Sequence, residues 1–417
     1  MSGFELIACV VCPAAGLAYI NAKVLRLPSA IGLMAIALLG SLLIVALDAG
    51  GVLDSAGLQA FVVKIDFARV LMHGLLGFLL FAGALHVDLA DLRANRWVIF
   101  LLAVVATVLS TLIVGGATWL VLKWLGHPVS LADTLLFGAL ISPTDPIAVL
   151  GILKSAKVPQ QLSIQISGES LFNDGIGVVL FIVIGGASQG GELSASHLLG
   201  LFAREALGGA LFGLAIGYVG YRVLKSIDVY SVEVLITLAI VLGGYAVAER
   251  LHISAPIAAV VSGLVVGNQG RQLGMSDQTR HHVDLFWELV DEILNAVLFL
   301  LLGLQATRLA LDRSLIAAMA SAILITLAAR FVSVAVTVPL LPRALVAPHY
   351  VKTLTWAGLR GGISVALALS LAPGPAQQTL LALTYAVVAF SILGQGLSLG
   401  WFLRRTSADA SALAPTS

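Results

Sequence analysis

The stretch "SGESLFNDGIGVVLF", residues 167–181, places Glu169 and Asp174 inside an otherwise apolar run. On a helix, residues four positions apart share a face, so Glu169 lies beside Asn173 and Ser170 lies beside Asp174. One helical face therefore carries two carboxylates, a hydroxyl and an amide. Ionised side chains inside membrane segments normally face the interior of a helix bundle or a water-filled cavity. The stretch predicts a polar site buried among helices.

The composition indicates that these helices lie in a membrane. Of the 417 residues, 59% are hydrophobic and only 11% are charged, whereas soluble domains carry about 25% charged residues. Apolar stretches recur along the chain, and about 20 such residues suffice to cross the hydrocarbon core of a bilayer. The net charge of +1 gives no indication of nucleic-acid binding. We predict an all-α polytopic membrane protein that is surrounded by lipids and has no nucleic-acid partner.

Charges, prolines and glycines divide the chain into 13 predicted membrane spans. Residues 1–405 would form one transmembrane domain, and residues 406–417 a short tail. Fourteen of the 23 Lys and Arg residues fall in loops on one side of the membrane together with the tail, and at most seven fall on the other side. The positive-inside rule then predicts a cell-membrane protein with a cytoplasmic C-terminus and an external N-terminus. The predicted spans are 4–21, 28–47, 67–86, 97–122, 131–152, 163–187, 198–221, 231–248, 254–268, 284–305, 314–340, 353–372 and 378–403.

Two of the predicted spans are interrupted. Span 5 contains "SPTDP" at residues 142–146, where proline removes a backbone donor, and span 12 contains "GLRGG" at residues 358–362. The interruptions lie seven spans apart, which would pair spans 1–6 with spans 8–13. Because seven is an odd number, the two halves would have opposite orientations in the membrane. Interrupted helices at equivalent places in two inverted halves indicate the binding site of a transporter. We expect an inverted-repeat fold with two discontinuous crossing helices.

The polar groups at these places form a set of hard oxygen ligands. The break in span 5 adds unwound carbonyls, such as that of Thr144, and the carboxylate of Asp145 to the oxygens of span 6. Such a set suits alkali or alkaline-earth cations. Arg330 lies in the middle of span 11 and needs an acid, for which Glu169 is the preferred partner. Asp145 and Asp174 would then be the titrating pair. A carboxylate of this pair can bind either a proton or a cation, and that competition is the minimum chemistry of antiport.

Other polar residues allow two interpretations. Any one of the membrane charges could simply lock helices together. Arg360, among the glycines of span 12, could neutralise the dipole of the half-helix in its own span or take part directly in function. Asp291 and Glu292 in span 10 could belong to a cytoplasmic vestibule or a pH-sensing feature, or to neither.

Two small-residue patterns favour packing roles. Gly209, Gly213 and Gly217 form a doubled GxxxG in span 7, for which close packing within the chain is favoured over a dimer contact. Cys9 and Cys12 form a CxxC inside the first span, and we expect two small buried side chains there.

Four segments together resemble a known family. "SPTDPIAVL", "GESLFNDGIGVVLF", "AARFVSV" and "GLRGGISVALAL" occur in this order and resemble the monovalent cation:proton antiporters of the cation/proton antiporter 1 family, the NhaP-like and NHE-like sodium/proton exchangers. The resemblance extends over essentially all the spans. It implies a homodimer in which spans 4–6 and 11–13 form a mobile core and spans 1–3 and 7–10 form a scaffold.

The resemblance also implies roles for individual residues. Asp174 would be the main ion- and proton-binding carboxylate. Asn173 stands where electrogenic relatives have a second Asp, which implies one-for-one, electroneutral exchange. Glu169 would pair with Arg330. The Na⁺ ligands would be Asp174, Asp145, the Thr144 carbonyl and the Ser170 hydroxyl.

The expected function is exchange of cytoplasmic Na⁺ for external H⁺ by alternating access, which serves pH homeostasis and needs no resident cofactor. The alternatives are K⁺/H⁺ exchange, mixed Na⁺, K⁺ and Li⁺ exchange, and a passive cation channel. Inverted broken helices favour a carrier over a channel. An enzyme is improbable because the sequence shows no nucleophile–base pair and no metal motif.

Overall fold

The structure, a computed structural model, describes residues 3–52, 57, 67–145, 149, 152–153, 158–188, 195–270, 274–305, 313–342, 345–346 and 349–412. All regular elements among these residues are helical, which confirms the predicted all-α class. In chain order they are α1 (Gly3–Ile20), α2 (Ser29–Ala49), α3 (Phe67–Leu85), α4 (Leu89–Ala94), α5 (Arg96–Trp124), α6 (Leu131–Ile141), α7 (Gln160–Ser188), α8 (Ala195–Leu224), α9 (Tyr230–Arg250), α10 (Ala255–Gly270), α11 (Asp277–Gln305), α12 (Arg313–Thr337), α13 (Tyr350–Ala357), α14 (Gly362–Leu369) and α15 (Pro375–Arg405).

Each predicted span coincides with helical residues in the described part of the chain. Nine helical stretches there are long and apolar enough to cross a membrane. The other four predicted spans are the two interrupted ones, the short helix α10 and the charge-bearing helix α11. The chain is therefore a multi-pass membrane protein, and the count of 13 crossings stays a prediction.

The helices pack in two sets. In the first set, α5 lies against α6 and α12, α6 lies against α7, and both α12 and α14 lie against α15. In the second set, α10 lies against α3, α8 and α9, and α2 lies against α11. Helix α7 also contacts α8 and α10, so it joins the two sets. The first set contains both interrupted helices.

Helix α8 packs tightly against α10 through its glycines. A Cβ atom on Gly213 would lie 2.6 Å from the carbonyl oxygen of Ala258, and one on Gly209 would lie 2.6 Å from that of Ser254. Only a residue without a side chain allows two backbones to approach this closely. The doubled GxxxG thus serves packing within the chain, as predicted. The opposite face of α8 exposes large apolar side chains such as Leu207 and Leu211, as expected of a helix surrounded by lipid.

The prediction that Cys9 and Cys12 are buried is wrong. Both side chains are exposed on α1, where Ile7 is also 61% exposed. Lipid tails are as apolar as a protein core, so a membrane helix gains little by turning small apolar residues inward.

Candidate ion-binding site

The two interrupted helices meet at their breaks. Helix α6 ends at Ile141 and residues 142–145 are not helical, while residues 358–361 separate α13 from α14. The backbone N–H of Asp145 donates to the carbonyl of Leu359 at 2.8 Å. Unpaired backbone groups are costly in a bilayer, so irregular backbone at this depth must find partners within the protein. Each break thus supplies a partner for the other.

Arg360 caps the broken end of α6. Its Nη1 donates to the carbonyl oxygens of Ser142 at 2.6 Å and Pro143 at 2.8 Å, and its backbone N–H donates to Ser391 Oγ at 2.8 Å. The residue is buried. A cation at a helix C-terminus opposes the partial negative charge of the unpaired carbonyls. The dipole interpretation of Arg360 referred to the half-helix of its own span, and the carbonyls that Arg360 binds belong to the other broken helix.

Asp145 lies directly against the start of α14. A Cβ atom on Gly361 would lie 2.1 Å from Asp145 Oδ2, so only glycine leaves room for the carboxylate. The side chain is half-buried. Because α14 begins at the next residue, the carboxylate sits at the end of a helix whose free N–H groups favour negative charge.

Asn173 and Ser170 hold the unwound segment from the side of α7. Asn173 Oδ1 accepts from the backbone N–H of Thr144 at 3.1 Å, and its Nδ2 donates to Thr144 Oγ1 at 2.9 Å. Thr144 Oγ1 and Ser170 Oγ are 2.8 Å apart. All three side chains are buried. Both the oxygen and the nitrogen of the Asn173 amide thus help to fix the break, a role that sequence reasoning did not assign to it.

Glu169 and Arg330 form the ion pair that the sequence predicts. Arg330 Nη2 donates to Glu169 Oε2 at 2.9 Å, and Nη1 donates to Oε1 in the second arm of a bidentate pair. Arg330 Nε lies 3.4 Å from the carbonyl oxygen of Leu354. The two side chains are 1% and 5% exposed. Such a pair is held in one geometry, so Glu169 is not available as a mobile charge carrier.

Asp174 differs from Glu169 in having no counterpart of this kind. Asp174 is 5% exposed. Within the described part of the chain its carboxylate receives no hydrogen bond and forms no close ion pair, although Arg360 and Asp145 both act on it electrostatically. A buried carboxylate without donors is costly when ionised. It is therefore suited to taking up a proton or a desolvated cation.

Sequence reasoning missed a polar cluster one helical turn before Glu169. Gln165 is 1% exposed. Its Nε2 donates to Asn95 Oδ1 at 2.9 Å, and its Oε1 accepts from the hydroxyl of Tyr350 at 2.7 Å. The spacing of Gln165, Glu169 and Asn173 at every fourth position was the available signal.

The structure brings Thr144, Ser170 and Asn173 into direct contact and places Asp145 at the same break.

Of the two acids proposed for a vestibule, Asp291 is half-buried and Glu292 is exposed.

Crossed discontinuous helices with a buried acid beside them define a secondary transporter. The model of the family described as "Sodium/hydrogen exchanger, transmembrane" matches residues 10–405, so the chain belongs to the sodium/hydrogen exchanger family.

Curated relatives and a solved structure agree with this membership. The chain is 48% identical over 410 residues to the Na⁺/H⁺ antiporter NhaP of Pseudomonas aeruginosa, with 96% of each chain covered. It is 37% identical over 338 residues to the Na⁺/H⁺ antiporter NhaH of Halobacillus dabanensis, which covers 80% of this chain and 82% of that one. The fold is similar to that of the sodium proton antiporter MjNhaP1 from Methanocaldococcus jannaschii, with a TM-score of 0.74, 17% identity and coverage of 97% and 98%.

Proposed function

We propose that this chain exchanges Na⁺ for H⁺ across the cell membrane, with both ions competing for the Asp174 carboxylate. The observation that carries the proposal is the contrast between two acids on one helix. Glu169 is neutralised by Arg330, whereas Asp174 is buried without a donor in the described residues. The names of the relatives support Na⁺ as the cation.

The remaining ligands are proposed from the geometry at the break. Asn173 Nδ2 can only donate, so Thr144 Oγ1 accepts from it, and the Thr144 hydroxyl can donate a hydrogen bond to Ser170 Oγ. Ser170 then keeps a lone pair for the cation. Asp145 and the Thr144 carbonyl would supply the other oxygens, an all-oxygen set that suits Na⁺.

We expect one-for-one exchange, and the charges on α7 support it. Asn173 is neutral and occupied by Thr144, so the site lacks a second acid next to Asp174 along the helix. One Na⁺ then replaces one H⁺, and the loaded site has the same net charge in both forms. We expect the rate to be insensitive to membrane potential.

Alternating access would move one set of helices against the other. We propose that predicted spans 4–6 and 11–13 form the mobile core, since they contain both breaks, and that the remaining spans form a dimeric scaffold. The N-terminus would lie outside and the C-terminus in the cytoplasm. The chain would need no cofactor besides the transported ions.

The test uses the purified protein in liposomes with an internal pH dye and an imposed Na⁺ gradient. Wild-type protein should give Na⁺-driven H⁺ flux, and Asp174→Asn should give none. Glu233→Gln is the matched control, because Glu233 is a buried acid in α9 whose two oxygens have no partner in the described residues. This control should keep its flux. Normal exchange by Asp174→Asn would refute the assignment.

A further inference from the structure

A buried amide oxygen without a hydrogen-bond partner in the described part of the chain lies on α11, the helix that also carries Asp291 and Glu292. Asn295, on α11, is 4% exposed. Its Oδ1 is fully buried and has no hydrogen-bond partner within the described residues. A buried acceptor left without a donor costs about 1–3 kcal/mol. Native proteins retain few such atoms, and the few that occur need a physical reason.

A carboxylate stands next to this oxygen. Asp291 precedes Asn295 by one helical turn on the same face, and the two side chains are within hydrogen-bonding reach. An ionised carboxylate can only accept hydrogen bonds, so the amide group donates to it through Nδ2 and Oδ1 is left as the unpaired atom. A carboxylate and a buried amide oxygen thus lie side by side, and among the described residues no Lys or Arg is a partner of either.

The pair lies on one flank of the helix crossing. Leu298, three residues after Asn295, packs against the first residue of α14, where a Cβ atom on Gly362 would lie 2.6 Å from Leu298 Cδ1. Asp145 is close enough to act electrostatically on Asp291. On the predicted topology the N-terminal end of α11 faces the cytoplasm, so Asp291 is reached from the cytoplasm before Asn295 and Asp145.

We propose that Asp291 and Asn295 form a staging site that binds the transported monovalent cation on the cytoplasmic approach to Asp145 and Asp174. The Asp291 carboxylate and Asn295 Oδ1 would replace part of the hydration shell of the ion. Conduction through successive sites requires each to be favourable enough to enter and weak enough to leave. A site with only two protein oxygens on one helical turn binds the ion more weakly than a complete coordination shell would, so the ion can leave it again.

This inference rests on the proposed function and deepens it. A cation bound between Asp291 and Asn295 would give Asn295 Oδ1 a partner. It would also offset the mutual repulsion of the Asp291 and Asp145 carboxylates. When the ion moves on to the main site, a second one can enter behind it. The pair therefore acts on the affinity for cytoplasmic Na⁺, whereas Asp174 is required for exchange itself.

The test measures Na⁺-dependent H⁺ flux in oriented vesicles, with Na⁺ varied separately on the cytoplasmic and external sides. Asp291→Asn and Asn295→Ala should each raise the KM for cytoplasmic Na⁺ by about tenfold, a change of ~1.4 kcal/mol. The maximal rate and the KM for external Na⁺ should change by less than about twofold. Asn295→Asp adds a charged oxygen ligand and should lower the cytoplasmic KM.

The matched control is Glu292→Gln, which removes the same charge one residue away on an exposed position of α11. Because Glu292 is exposed and its effect on Asp291 is screened by solvent, both KM values should change by less than about twofold. A cytoplasmic KM within twofold of wild type in Asp291→Asn and Asn295→Asp overturns the staging site, as does an equal change on both sides of the membrane. Absence of Na⁺-driven flux in the wild type would instead overturn the proposed function. A misfolded helix cannot explain a cytoplasmic KM that rises in Asn295→Ala and falls in Asn295→Asp.

Discussion

Glu169→Gln should destabilise the protein strongly, because it removes one half of a buried bidentate pair. The substitution keeps the size of the side chain and leaves the Arg330 guanidinium buried without its counter-charge. The Nε atom of Arg330 would keep only a long contact with the carbonyl oxygen of Leu354, at 3.4 Å. Breaking a buried pair by removing one partner costs about 3–5 kcal/mol. At an unfolding entropy of ~2.1 cal/mol/K per residue, that loss lowers the thermal midpoint of a chain of this length by about 3–6 °C.

The assay is thermal unfolding of the purified protein in detergent without Na⁺. Asp174→Asn provides the contrast, since it removes a buried charge that has no donor in the described residues. Its midpoint should stay equal to that of the wild type or rise. The double variant Glu169→Gln, Arg330→Met should be less destabilised than the sum of the single variants, because it leaves no uncompensated charge. An unchanged midpoint in Glu169→Gln would refute the structural role of the pair.

Two further predictions concern the breaks. Gly361→Ala should remove most transport without unfolding the protein, because the new Cβ atom would lie 2.1 Å from Asp145 Oδ2 and displace the carboxylate. Flux and a melting curve measured on the same preparation check both parts, and near-normal flux would contradict the role of Gly361. Asn173→Ala should lose both bonds to Thr144. The lost positioning, ~1.4 kcal/mol or more, should lower Na⁺ affinity by about tenfold or more, as measured by Na⁺ titration of the purified protein. An unaltered affinity in Asn173→Ala would show that Thr144 is held by other groups.

Much of the site could be predicted because charges in a membrane need partners. A mid-span Arg330 required a buried acid, and Glu169 was available on the polar face of span 6. Proline and glycine runs located both breaks, since neither sequence can continue a regular helix. The periodic spacing of polar residues on α7 placed Ser170, Asn173 and Asp174 on adjoining rows.

Interactions with backbone atoms could not be read from the sequence. Arg360 binds the carbonyls of Ser142 and Pro143. Every residue has a backbone carbonyl, so the residue types at 142 and 143 do not indicate this contact. The close approach of Gly361 to Asp145 depends on how two distant breaks cross. The orphaned oxygen of Asn295 is visible only once its neighbours are placed. The burial predicted for Cys9 and Cys12 was wrong because a bilayer, unlike water, does not drive apolar residues inward.

The central claim is that Na⁺ and H⁺ compete for the Asp174 carboxylate, and proton release on Na⁺ binding tests it most directly. Ligands that bind a cation must lose their proton first, so binding releases protons at a pH where the site is protonated. Purified wild-type protein titrated with Na⁺ in weakly buffered detergent solution should release about one proton per Na⁺ bound, and its affinity should weaken as the pH falls. Asp174→Asn should release none, while Glu233→Gln should match the wild type. Release of protons by Asp174→Asn, or Na⁺ binding by the wild type that does not vary with pH, would contradict the account.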